Sequence, residues 1–127
     1  MTTRFLLLAS LAALLSFQPA QAQTASKPVP PIVAAEFIKK PDVVVLDVRT
    51  PEEFATGHLK GARNLDFRAP GFGEQVRKLD KSKTYVLYCA SGNRSGQSTV
   101  LMEELGFRKI VNAGAFKDLK EAGLKTE

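Results

Sequence analysis

Apolar and polar positions follow two different rhythms along this chain. Val43-Val44-Val45-Leu46 is a continuous apolar run closing on Asp47, and Thr84-Tyr85-Val86-Leu87-Tyr88 closes in the same way on Cys89. Runs that are apolar at successive positions belong to strands covered on both faces, as in a parallel sheet between helices. Elsewhere the apolar spacing is helical. It predicts helices over 32–40, with Val33, Phe37 and Ile38 and a stop at Pro41, and over 71–79. It also predicts one over 95–105, with Val100, Leu101 and Leu105 before Gly106, and one over 115–122 before Gly123. Thr50-Pro51-Glu52-Glu53 is a helix start: Thr50 caps, Pro51 takes the first helical position, and Glu53 completes a capping box. Residues 57–61 read as a turn, 62–66 as a short strand and 109–112 as another. Strands alternating with helices over short connections call for an α/β fold, a mainly parallel sheet with helices on both faces.

The amino terminus follows a different plan. Met1-Thr2-Thr3-Arg4 is a short positive start, followed by an apolar run from Phe5 to Phe17 and then Gln18-Pro19-Ala20-Gln21-Ala22. Spanning a bilayer takes about 20 apolar residues, and this run is shorter. Ala20 and Ala22 are small residues two apart, the pattern that a signal peptidase cuts. We therefore divide the chain into a cleaved signal peptide, 1–22, a linker, 23–31, polar and proline-rich, and one folded domain, 32–127. The expected destination is the periplasm or the outside of the cell, with no membrane attachment after cleavage.

Composition narrows the function. The 127 residues are 44% hydrophobic and 24% charged, which excludes a disordered or collagen-like chain. Cleavage after Ala22 leaves 105 residues, enough to bury a core unaided. Lys and Arg number 18 against 13 Asp and Glu, a formal charge of +5. The basic residues are scattered without aromatic interleaving, so a solvated mixed surface is expected and no nucleic-acid partner. One cysteine excludes a disulfide within the chain, and a single histidine leaves a zinc site short of ligands.

The chemistry gathers at Cys89. Ligands of a parallel sheet collect at the carboxyl ends of its strands, where the sequence places Cys89-Ala90-Ser91-Gly92-Asn93-Arg94-Ser95 between a strand and a helix. Amides at the following helix start favour a thiolate, and a tight loop aims successive N–H groups at one point. Gly92 permits a positive φ, and Arg94 adds a permanent cation. The expected product is an exposed thiolate of low pKa, a nucleophile. Buried inert cysteine is the plain alternative. His58 lies in a turn and is expected to be structural, Tyr85 and Tyr88 to pack the sheet, and Met102 to be core.

Three stretches together resemble the rhodanese family. Leu46-Asp47-Val48-Arg49-Thr50-Pro51-Glu52-Glu53-Phe54 is similar to its first signature, Gly57-His58-Leu59-Lys60-Gly61-Ala62-Arg63-Asn64-Leu65 to its second, and residues 89–95 to its active loop. The chain departs from the family's usual pattern at Lys60, Ala115 and Leu119. The signal peptide, the small size and the ending Asn112-Ala113-Gly114-Ala115-Phe116-Lys117-Asp118-Leu119 resemble the periplasmic phage-shock type of single-domain rhodanese.

The resemblance implies a five-stranded parallel sheet and sulfurtransferase chemistry without a cofactor. Cys89 would take sulfur from thiosulfate or a similar donor as a persulfide and pass it to cyanide or a thiol. Ala90, Ser91, Gly92, Asn93, Arg94 and Ser95 would form the substrate-binding loop. Asp47 and Arg49 are expected to hydrogen-bond neighbouring loops or to touch substrate, and Arg63 to line the pocket mouth or lie on the surface. Related phosphatases and arsenate reductases resemble a Cys-x5-Arg pattern. Here four residues separate Cys89 from Arg94, a smaller ring matched to a single sulfur. Two alternatives stay open: a persulfide carrier serving a protein partner with little turnover, and a redox thiol protein, which lacks a resolving cysteine. A monomer is expected.

Overall fold

A computed structural model describes residues 26–127. The expected signal peptide, its expected cut after Ala22 and residues 23–25 of the expected linker lie outside the described residues. The elements run α1 (Pro31–Ile38), β1 (Val43–Asp47), α2 (Pro51–Ala55), β2 (Arg63–Asn64), α3 (Phe72–Arg77), β3 (Thr84–Cys89), α4 (Asn93–Glu104), β4 (Ile110–Ala115) and α5 (Phe116–Glu121). Each predicted element is present. The strand expected over 62–66 shrinks to two residues, and the last strand runs three residues further than predicted.

All described strand pairs are parallel, in the order β2-β1-β3-β4. The five strands implied by the family resemblance are four among the described residues. Residues 26–30, read from sequence as linker, are laid against the fold. Val29 N–H bonds the Asn112 carbonyl at 2.9 Å, beside β4.

The apolar strand runs do what they predict. Side chains of a strand alternate between its two faces, and the core accordingly splits in two. Leu46, Tyr85, Leu87 and Cys89 pack with Phe72, Val76 and Met102 of α3 and α4. Val45, Val86 and Tyr88 pack with Ala34 of α1 and Leu119 of α5 on the other face. No helix among the described residues is long and apolar enough to cross a membrane.

The chain leaves β1 toward β2 on one side and returns to β3 on the other. The strand order therefore reverses at the β1–β3 pair, the switch point where such sheets bind ligands. Asp47 and Cys89 stand at the carboxyl ends of these two strands.

Candidate active site

Cys89 is the last residue of β3 and shares a face with Tyr85 and Leu87. The chain then curls through Gly92, whose φ of 93° lies in the left-handed region, and enters α4 at Asn93. That curl turns the amides inward. Gly92 N–H donates to Cys89 Sγ at 3.0 Å and Ser95 N–H at 3.4 Å, with the Ser95 hydroxyl also 3.4 Å away. Burial pushes the Cys89 thiol up. The Ser95 hydroxyl and the amides of Ser95, Ser91 and Gly92 more than offset this, so its pKa lies below the ordinary 9.0.

The expected exposure is corrected. Cys89 is 0% exposed, although Ala90, Ser91 and Asn93 of the same loop are open to solvent. The reason is its place in the fold: Cys89 lies on the β3 face packed into the core, under a loop whose donors close on the sulfur at 3.0 to 3.4 Å. Cys89 is thus buried like an inert cysteine but surrounded by donors like a reactive one.

Arg94 does not stand free beside the sulfur. Its guanidinium forms a two-pronged pair with Glu53, Nη1 to Oε2 at 2.8 Å and Nη2 to Oε1 at 2.9 Å. The Arg94 bonds, with those from Thr50, bring the Glu53 carboxyl down to about 2 despite partial burial. Glu53 also closes the predicted capping box: Thr50 N–H reaches Oε2 at 2.8 Å, and Glu53 N–H reaches Thr50 Oγ1 at 3.3 Å. The carboxylate that closes the capping box of α2 therefore also anchors the cation of the sulfur loop.

Asp47 and Arg49 form a buried pair, with Arg49 Nη2 2.6 Å from Asp47 Oδ2 and Nε 3.0 Å from both carboxylate oxygens. Burial pulls the Arg49 pKa down, but hydrogen bonding to Asp47 and its charge hold it above the ordinary value. Arg49 also donates to the Gly57 carbonyl at 2.7 Å and lies 4.4 Å over the Phe116 ring. Asn64 Nδ2 bonds the carbonyls of Asp47 and Arg49. The pair thus knits β1 to the turn after α2. Arg63 is exposed on β2, opposite Leu46 of β1, and its charge is felt by Tyr85 of β3.

His58 stacks on Phe54 with ring centroids 3.6 Å apart, and its Nε2 lies 3.4 Å from Glu127. Tyr88 accepts the Leu59 N–H through its hydroxyl, and burial pushes its own pKa up. Tyr85 and Met102 are buried in the core.

Sequence reasoning missed Asn112 at the site. Opposite Leu87 on β4, it faces the Cys89 side of the sheet, and a bulge follows, with Tyr88 paired to Gly114. Asn112 Oδ1 accepts the Ser95 hydroxyl at 2.7 Å and Gly114 N–H at 3.0 Å. Its Nδ2 reaches the carbonyls of Ser26 at 2.7 Å and Gly92 at 3.4 Å. A lone amide ending the Ile110-Val111 run was the available signal.

Residues 31–122 match the family model for the rhodanese-like domain. The chain is 34% identical over 74 residues to the thiosulfate sulfurtransferase PspE of Escherichia coli (strain K12), covering 58% of this chain and 71% of that one. It is also 34% identical over 92 residues to the thiosulfate sulfurtransferase GlpE of Pseudomonas putida, covering 72% and 82%. Its similarity to the tRNA uridine(34) hydroxylase of Acaryochloris marina, 33% over 92 residues, covers 69% of this chain and 30% of that longer protein. Among solved structures, a rhodanese-related protein from Thermoplasma volcanium superposes with a TM-score of 0.68 at 28% identity, covering 80% and 97%.

Proposed function

The chain belongs to the rhodanese-like family, and from that premise we propose that it is a periplasmic sulfurtransferase using Cys89 as its nucleophile. The observation that carries this reading is the convergence of the Gly92 and Ser95 amides on Cys89 Sγ. Such preorganised donors stabilise an anion without reorganising during reaction.

The Cys89 thiolate attacks the outer sulfur of thiosulfate. A sulfur–sulfur bond forms at Sγ, the donor's own sulfur–sulfur bond breaks, and sulfite leaves with the electron pair. Asn93 and Arg94 open α4, where amides have no carbonyl within the helix to bond; they are the donors left for the outer sulfur. Cyanide or a thiolate then attacks that sulfur and returns Cys89 to thiolate. Because Cys89 is 0% exposed, small donors and acceptors are favoured over bulky ones. The positive amino terminus, its apolar run and Ala20-Gln21-Ala22 support export and a cut after Ala22.

Intact-mass analysis of the secreted protein, with and without thiosulfate, tests this together with a cyanide turnover assay. The expected result is cleavage after Ala22 and a gain of one sulfur atom that Cys89→Ser abolishes. Sulfur loading without turnover favours the carrier role. Failure of thiosulfate and other sulfane-sulfur donors alike to load the chain overturns the reading.

A further inference from the structure

Asn112 lies outside the sulfur loop yet holds its proton chemistry at one remove. Its carboxamide is fixed at both ends: Nδ2 faces the carbonyls of Ser26 and Gly92, and Oδ1 faces the Ser95 hydroxyl and Gly114 N–H. Turning the group over would set nitrogen against two donors and oxygen against two carbonyls, four mismatches in a site where Asn112 is 2% exposed. Oδ1 is therefore committed to Ser95. A serine hydroxyl has one proton to give, and at 2.7 Å that proton points to Asn112. The Ser95 oxygen is then an acceptor toward Cys89 Sγ, 3.4 Å away, which suits an S–H and not an S⁻.

We propose that Asn112 is a positioning residue that acts through Ser95, whose hydroxyl faces Asn112 when Cys89 is a thiol and turns to the sulfur when Cys89 is a thiolate. An ionised acceptor outcompetes a neutral carbonyl for the same O–H, so the turn follows loss of the thiol proton. Oδ1 keeps Gly114 N–H throughout. Asn112 thereby holds back part of the help Ser95 gives the thiolate and couples the sulfur's protonation to β4 and to residues 26–30. The other charged groups around the sulfur loop are Arg94 of α4, Glu53 of α2, and Asp47 at the end of β1 with Arg49 just beyond it. Arg94 and Glu53 are paired with each other, as are Asp47 and Arg49, and among the described residues no side chain of either pair hydrogen-bonds Ser95.

The inference rests on Cys89 as the nucleophile, but its test needs no sulfur donor, so the two fail separately. The chain has one cysteine, and the ultraviolet absorbance of its thiolate reports the titration without reagent access. Asn112→Ala frees the Ser95 proton for the sulfur, and the thiol midpoint is expected to fall by about 0.7 pH unit, the size of one neutral hydrogen bond. In the Ser95→Ala background the same substitution should leave the midpoint unmoved.

A purely structural Asn112 gives the opposite sign, because a loosened loop withdraws the Gly92 amide and raises the midpoint. A rise, an unchanged midpoint, or a shift that persists without Ser95 overturns the proposal. Should Asn112→Ala fail to fold, the unsubstituted protein still decides. The carbon-13 shift of the Asn112 side-chain carbonyl should step at the Cys89 midpoint and lose that step in Ser95→Ala. A flat shift, or a step that persists in Ser95→Ala, overturns it.

Discussion

Glu53 and Arg94, 41 residues apart, bind each other through both carboxylate oxygens and both terminal guanidinium nitrogens, at 2.8 and 2.9 Å. This pair ties the sulfur loop to the start of α2 and gives the arginine a counter-charge of its own. Stabilisation of the Cys89 thiolate accordingly falls mainly to the Ser95 hydroxyl and main-chain N–H groups. Five outcomes follow from this arrangement and its neighbours.

Glu53→Gln keeps the capping box, since glutamine also serves at that position, but removes the charge. The Glu53 pKa is depressed from 4.5 to about 2 in the folded state. Its ionised form therefore stabilises the fold above pH 4.5, and that contribution is lost as pH falls through about 2. Urea midpoints of the two proteins should differ at pH 7, draw together below pH 4.5 and converge only as pH falls below about 2.

Arg94→Ala strips Glu53 of its partner and leaves a carboxylate facing the loop. Turnover with anionic donors such as thiosulfate should fall by about tenfold more than turnover with neutral donors, the worth of one charge-assisted hydrogen bond. Steady-state rates with both donor types check this. Equal losses would mark the arginine as purely structural.

Cys89 should react with a small alkylating reagent with a midpoint below the ordinary thiol value of 9.0, since the loop donors lower its pKa. Its plateau rate should nonetheless lie below that of a free cysteine, because the side chain is 0% exposed. Rate against pH separates the two effects: donors set the midpoint and burial sets the height.

Gly92→Ala places a side chain at a φ of 93°, with its Cβ 3.3 Å from the Gly114 Cα. The left-handed conformation alone costs about 1–2 kcal/mol, and the backbone contact adds to it. Because Gly92 N–H is the nearest donor to the sulfur, the thiol midpoint should rise in parallel with the lost stability. Thermal unfolding and thiolate absorbance measure the two.

Arg49→Ala leaves Asp47, 0% exposed, without its counter-charge. The expected loss is about 3–5 kcal/mol, most of it the cost of an unpaired buried charge. Replacing both partners with apolar residues should lose less than the single change, as urea unfolding of the two variants will show.

The sequence by itself determined the layer architecture, the capping box and the place of Cys89. These depend on residues close together in the chain: the doubly apolar runs 43–46 and 84–88, Thr50 with Glu53, and a glycine three positions after a cysteine. Local geometry follows from local chemistry, so those features could be read. Only the tertiary structure decided what surrounds the sulfur. Glu53 reaches Arg94 across 41 residues, Asn112 reaches Ser95 across 17 and Ser26 across 86, and no spacing rule connects such positions. The burial of Cys89 was hidden for the same reason, since exposure is set by what the whole chain packs over a site. Hydrogen-bond partners distant in sequence are chosen by strand order and register, and those exist only once the sheet has formed.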